Sequence, residues 1–205
     1  MTAGRTPAPD PTRARNRRGE GALLREEIVE AALALLAESG DVGEIRLRAV
    51  ARKVGIAATS IYLHFPDVES LVDAAIDRAF DEFDAARDAA AKRARTPAGV
   101  LRARARAYCR FALENPGLYR AMFQVSRPST PRGRASFATL VQAIERCQKS
   151  GASASRDAPE RLAVLVWAAL HGLVSLRITR SQFAWPASLE RDVDRIVDLI
   201  AELPR

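Results

Sequence analysis

The twenty residues from Arg46 to Phe65, RLRAVARKVGIAATSIYLHF, leave few folds open to this chain. Leu47, Val50, Ala51 and Val54 recur at i, i+3, i+4 and i+7, which makes a helix with one apolar face. Gly55 breaks it, because glycine adopts the left-handed backbone without a Cβ penalty. Ile56 follows as an apolar plug, and a second short helix is expected from Ala57 or Ala58 through Ile61, Tyr62 and Phe65. Pro66 stops that helix, since the residue before a proline is pushed out of helical geometry. Two short helices joined at a glycine turn form a helix-turn-helix, whose second helix enters the major groove of DNA.

The remaining sequence is helical too. Ala and Arg dominate, and Val and Ile form no alternating runs, so the expected class is all-α with about nine helices. A chain of 205 residues can bury a sizeable core. A first helix over Leu23 to Ser39 places Leu24, Ile28, Ala31 and Leu35 on one face and ends at Gly40. Beyond Pro66, Asp67 is the N-cap of a helix with the stripe Leu71, Val72, Ala75, Ile76, Ala79 and Phe83, running to about Arg95. Thr96-Pro97 opens the next, with Leu101, Ala105, Tyr108 and Ala112 on one face and Phe111 beside it. Asn115-Pro116, as N-cap and first helical residue, opens a sixth. A loop from Ser126 to Gly133 precedes a helix over Arg134 to Ser150, and residues 151–157 form a polar loop. The helix from Pro159 to Arg180 is apolar nearly all round between Leu162 and Leu176, so it needs cover on several sides, for which a second subunit is the natural source. The last, from Pro186 to Leu203, has one stripe of Leu189, Val193, Ile196, Val197, Ile200 and Leu203. No apolar run approaches the ~18 residues of a membrane span, and no membrane partner is expected.

The net charge of +7 favours an anionic partner, nucleic acid before membrane. Residues 1–21 hold too few apolar side chains to fold alone. Their Arg13, Arg15, Arg17 and Arg18 read as a disordered basic arm lying along DNA, the alternative being a solvated tail. On the second helix of the motif, Ala57, Ala58 and Thr59 are small enough to let the backbone approach DNA. Thr59 and Ser60 can hydrogen-bond there, and Ala and Thr methyls can pack on thymine. Ile61 and Phe65 are core positions. No Arg or Lys falls between Ala57 and Phe65, so bidentate guanine contacts would come from Arg46 or Arg48. Chemistry points away from an enzyme. There are two histidines, His64 and His171, no Gly-rich phosphate loop, no GxSxG or HExxH, and no Cys/His ligand cluster; no catalytic, metal or cofactor site is expected. Cys109 and Cys147 are too few for a disulfide framework and fit a reducing cytoplasm as buried thiols.

The run VARKVGIAATSIYLHF, continued by Pro66, Asp67, Glu69, Ser70 and Leu71, closely resembles the DNA-binding domain of TetR-family transcriptional regulators. The matching positions are Ala51, Gly55, Ile56, Ile61, Tyr62, His64, Phe65, Glu69 and Leu71. Three positions depart: Arg46, Ala57 and Val68 stand where the family has Thr, Ser and Lys, which removes expected contacts to the DNA backbone. ENPGLYRAMF (residues 114–123) resembles a common segment of the family's ligand domains, and Trp167 to Gly172, WAALHG, resembles a Trp…His-Gly signature of one C-terminal subfamily.

The resemblance implies a basic arm over 1–21, a three-helix helix-turn-helix domain over 22–70, a connecting helix from 67 to about 95, and a helical ligand-binding and dimerisation domain over 97–203. It implies a cytoplasmic homodimeric repressor, released from a pseudo-palindromic double-stranded operator by a small apolar or amphipathic molecule. Tyr62 and His64 correspond to family positions that contact phosphates. Ligand contacts are expected from Tyr108, Phe111, Tyr119, Met122, Phe123, Trp167, His171 and Phe183. His171 stands out as polar in an apolar helix, a buried histidine satisfied by a carbonyl being its other reading. The family pairs its last two helices into a four-helix dimer bundle, which implies Leu170, Leu173, Val193, Val197 and Ile200 as dimer contacts. The competing function is a helical dimeric protein-interaction module with a degenerate DNA-binding head.

Overall fold

The computed structural model describes residues 20–123 and 130–204, and every regular element among them is helical. The α-helices are α1 (Glu20–Ser39), α2 (Leu47–Val54), α3 (Ala58–Ile61), α4 (Val68–Ala91), α5 (Pro97–Glu114), α6 (Pro116–Met122), α7 (Pro131–Lys149), α8 (Pro159–Thr179) and α9 (Leu189–Ile200), with a 3-10 turn at Val42–Glu44. Residues 1–19 of the expected arm, Arg17 and Arg18 included, lie outside the described residues, as do residues 126–129 of the expected loop, while Glu20 and Gly21 already belong to α1 and Pro131 to Gly133 to α7.

Helices α1 to α3 and the start of α4 enclose the N-terminal part of the core. Ile28, Ala32 and Leu36 of α1 meet Leu47, Val50 and Ala51 of α2, Ile61 of α3, Phe65, and Leu71 and Val72 of α4. Leu36, not Leu35, takes the fully buried place at the end of α1. Gly55 ends α2 in the left-handed region at φ 77°, its N–H donating to the Ala51 carbonyl at 2.8 Å. A Cβ there would touch nothing within 4 Å, so the requirement for glycine is conformational alone. Helix α3 ends at Ile61 and does not reach Phe65. The N–H groups of Leu63 and His64 reach back three residues, to Ser60 and Ile61, and wind the chain into tight turns ahead of Pro66. Asp67 then caps α4: its carboxylate accepts the Ser70 N–H at 2.7 Å, and that bond holds the Asp67 carboxyl below its ordinary range.

Helix α4 runs the length of one continuous core. Leu71, Val72 and Ala75 close its N-terminal part, while Phe80, Phe83 and Arg87 are buried against α5, α6 and α7; the helix stops at Ala91, short of Arg95. Helix α6 presses on the end of α1. Gly117 lies so close to the Ala37 carbonyl that no side chain fits between them, and the Arg120 guanidinium covers Gly40. Asn115 sits at the N-cap of α6, but its amide donates back to the Phe111 carbonyl at 3.1 Å and caps no N–H of α6.

The last helices correct the expected dimer face. Val193 and Val197 are wholly buried within the subunit, because α9 lays its apolar stripe on α5. A ladder locks that register: Arg102 reaches Asp198 at 2.7 Å, Arg106 reaches Asp194 at 2.7 Å, and Arg110 reaches Glu190 at 2.8 Å. Leu170 is likewise turned inward, while Leu173 and Ile200 are half-buried. What α8 and α9 leave uncovered is Val164, Leu165, Leu176 and Leu199, with part of Trp167. Helix α8 also overturns the expectation about apolar runs. Its 21 residues have a mean hydropathy of 1.7 over their best window, long and apolar enough by composition to cross a membrane. Here one side, Leu162, Ala163, Val166, Leu170 and Val174, packs in the core, and the other is the exposed apolar face. The polar loop at 151–157 is tied down, with Ser153 Oγ donating to the Ala201 carbonyl at 2.7 Å.

Candidate functional site

Two features stand out, a surface on the N-terminal helices and a cavity among the later ones. On the surface, Ala57 and Thr59 are exposed, and Ala58, Ser60 and His64 are half-buried. Tyr62 is 57% exposed, so it is not a core residue. Ile61 and Phe65 turn inward as expected, with the Arg25 guanidinium 4.7 Å from the Phe65 ring centre. Leu63, 83% exposed, went unnoticed in the sequence, where it reads as one more apolar residue of a short helix.

The two arginines expected to reach bases differ. Arg48 is exposed on the helix. Arg46 precedes the first helical residue and folds back, its guanidinium donating to the Gly43 carbonyl and, at 3.2 Å, to that of Ile45. It caps no N–H of α2 and is spent on holding the 3-10 turn. Of the two arginines expected to reach bases, Arg48 is the one left projecting.

The cavity has a volume of about 630 Å³ and is walled by α4, α5, α6, α7 and α8. Its larger part is apolar: Ile76, Phe80, Phe83, Ala105, Tyr108, Met122, Phe123, Phe137, Leu140, Trp167 and Leu170. Arg87, Arg104, Thr130, Arg134 and Ser136 bring polar groups to it. Phe80, Phe83, Tyr108 and Phe123 meet edge-on or tilted at 5.4 to 6.4 Å between ring centres, a rigid lining.

Four of the eight residues expected at a ligand line this cavity: Tyr108, Met122, Phe123 and Trp167. The other four do not. Phe111 stands behind Phe83, edge-on at 5.4 Å. Phe183 is 63% exposed in the turn after α8, against Trp185 at 4.9 Å. Tyr119 and His171 form a layer behind Tyr108. The Tyr108 and Tyr119 hydroxyls are 2.7 Å apart, and the Tyr119 hydroxyl lies 2.5 Å from His171 Nδ1. The partner of His171 is therefore a tyrosine hydroxyl and not a carbonyl. With the proton on Nε2, Nδ1 accepts from Tyr119, which accepts from Tyr108. Burial holds His171 below its ordinary pKa, and burial first of all raises both tyrosines.

Arg87 is the lining residue hardest to foresee. In sequence it belongs to a mixed-charge run, Asp84 to Asp88, of the kind that usually faces water. In the fold it is 5% exposed, stacked 4.8 Å from the Phe83 ring centre. Its Nη1 donates to Asp84 at 2.9 Å and Ser136 Oγ at 3.1 Å, and its Nη2 to Thr139 at 3.3 Å. Its Nε–H is buried without an acceptor. Arg104 donates to Thr139 at 3.3 Å and to Asp88. Burial is the largest influence on Arg87, and it disfavours the cation. Among the described residues no cluster of His, Cys, Asp or Glu has the geometry to hold a metal ion.

Residues 28–75 match the family model described as bacterial regulatory proteins, tetR family, and residues 101–200 match that of the tetracyclin repressor-like C-terminal domain. Among solved structures, a Rhodococcus sp. RHA1 protein with unknown function is 24% identical, with a TM-score of 0.70 over 94% of this chain and 95% of the other. A TetR family transcription regulator from Marinobacter aquaeolei VT8 is 20% identical, with a TM-score of 0.67 over 91% and 97%. SmeT, the repressor of the Stenotrophomonas maltophilia multidrug efflux pump SmeDEF, is 23% identical, with a TM-score of 0.63 over 86% and 87%.

Proposed function

The chain belongs to the TetR family of bacterial regulatory proteins, and from that premise we propose that it is a repressor released from a palindromic operator by a small molecule held in its cavity. It is a DNA-binding transcriptional regulator, and the family acts as dimers. Residues from the start of α1 to 70 form the reading head and 97–203 the ligand and dimer domain, with α4 as connector and the residues before α1 as a basic arm along DNA. The protein works in the cytoplasm, without enzymatic activity of its own.

One observation carries the reading. Helix α4 closes the core beneath the exposed reading residues at one end and supplies Ile76, Phe80, Phe83 and Arg87 to the cavity at the other. A molecule filling the cavity acts on the same rigid rod that seats the reading head. Near-complete release needs about 5.5 kcal/mol of difference in affinity between the two conformers.

In the reading head, Arg48 supplies a base or phosphate contact, the Ala and Thr methyls of residues 57–59 pack against thymine, and Ser60, Tyr62 and His64 bond phosphates. Arg46 acts through the turn it braces. In the dimer, the uncovered faces of α8 and α9, with Leu165, Leu176 and Leu199, meet their copies across a two-fold axis.

The test is binding of the purified protein to duplexes from its own upstream intergenic region, against a scrambled duplex at fixed salt. A preference of about 10³ or more for one pseudo-palindrome is expected. Equal weak binding to both sinks the repressor reading and leaves the interaction-module alternative. Arg48→Ala should cost about 1–3 kcal/mol and relax the preference at one base pair; a uniform loss on all duplexes assigns Arg48 to phosphate.

A further inference from the structure

We propose that the cavity takes an amphipathic organic anion, with its carboxylate at the Arg87–Arg104 side and its hydrocarbon among the aromatic rings. The inference rests on the reading of the cavity as the effector site and narrows it to one class of ligand.

The lining includes Arg87, Arg104 and Arg134, and no Asp or Glu. The acids that pair with the first two, Asp84 and Asp88, are not among the lining residues, so they hold the arginines in place and present no carboxylate of their own to a ligand. Asp84 Oδ1 is divided between Arg87 at 2.9 Å and Ser136 Oγ at 2.8 Å. Arg87 is thus a buried cation with part of one carboxylate and with an Nε–H that has no acceptor.

A neutral hydrocarbon entering this space would strip water from the arginines and return nothing, which is costly for a charged group. A carboxylate returns charge-assisted hydrogen bonds, and the fork of a guanidinium suits its two oxygens. The Thr130 hydroxyl adds a donor on the same lining, while the Ser136 proton is committed to Asp84. The rest of the wall is aromatic and aliphatic, and about 630 Å³ holds an acyl chain or ring system of drug-like size. An inorganic anion would leave that apolar volume unfilled, and an apolar molecule would leave the arginines unmet.

Trp167 lines the cavity and Trp185 does not, so Trp185→Phe leaves one tryptophan as reporter. In that background, emission is titrated with decanoate against 1-decanol, and with 4-phenylbutyrate against 4-phenyl-1-butanol. Release from operator DNA is followed in parallel. Within at least one pair the carboxylate should bind about tenfold tighter than the alcohol or more. Arg104→Gln, checked for unchanged helical content because the Arg104 side chain is only 19% exposed, should reduce that preference to roughly threefold or less. Arg87→Lys, checked for unchanged helical content, should do the same, since a point charge replaces the fork. Alcohols that bind as tightly as their carboxylates and still release DNA would overturn the anion while leaving the effector site standing. A carboxylate preference untouched by both variants would overturn the assignment to these arginines. If no probe changes Trp167 emission or DNA binding, both the anion and the effector cavity fall.

Discussion

Replacing Gly117 with alanine would put a methyl group into the backbone of another helix. An ideal Cβ on Gly117 overlaps the Ala37 carbonyl oxygen far inside van der Waals contact, and lies 2.7 Å from its carbon and 3.2 Å from the Ala37 Cα. Carbon atoms prefer about 3.5–4.0 Å, so α6 and the end of α1 must part by about 1 Å. No rotamer relieves the clash, because both sides are main chain. Overpacking of this kind costs about 1–3 kcal/mol, and a backbone collision belongs in the upper half of that range. In a chain of this length each 1 kcal/mol lowers Tm by roughly 2–4 °C, so Gly117→Ala should lose about 4–12 °C. The assay is thermal unfolding followed by circular dichroism at 222 nm, at one fixed protein concentration because a dimer's Tm depends on it. Operator affinity should fall as well, since α6 carries Ala121 and Met122 in the cavity wall and Gly117 against the reading head. A Tm within about 1 °C of the parent would refute the close approach, and with it the seam between the two parts of the molecule.

Two further outcomes follow from buried titratable groups. Cys109 is wholly buried, its thiol pushed up to about 12 by desolvation, and Cys147 is raised for the same reason. Both should react with a thiol reagent at pH 8 only after unfolding in guanidinium, and stoichiometric labelling of the native protein within seconds would contradict that packing. Burial lowers the pKa of His171 from 6.5, so the unfolded chain takes up its proton first as pH falls. The stability that His171 lends is present above pH 6.5 and is lost as pH drops below it toward the folded value. Between pH 7.5 and 5.5, Tm should therefore fall less steeply in His171→Gln than in the parent; parallel curves would show that His171 is not held neutral.

The helices were legible because they are local. The glycine at 55, the cap at Asp67, the proline at 97 in the first turn of α5, and the 3.6-residue spacing of Leu71 to Phe83 depend on neighbours in sequence, and each appears in the fold. Helix ends read less well where tertiary demands intervene. Helix α3 gives way to tight turns before Phe65, and Asn115 turns its amide back to α5 instead of capping α6. The cavity was half legible: an aromatic residue such as Tyr108 or Trp167 announces itself, but Tyr119 and His171, equally conspicuous, form the layer behind.

By itself the sequence determined an all-helical chain, its turn at Gly55, and a reading helix free of positive charge, since backbone preference and amphipathic spacing act over a few residues. Only the tertiary structure decided which partner each stripe meets. The stripe of α9 could as well have faced another subunit; pairing between the arginines of α5 and Glu190, Asp194 and Asp198 turned Val193 and Val197 onto their own chain. Arg87 was one charge among several until Phe83, Ser136 and Thr139, the last two about fifty residues away, closed around it. Burial and charge pairing are set by residues distant in sequence, and spacing along one helix carries no record of them.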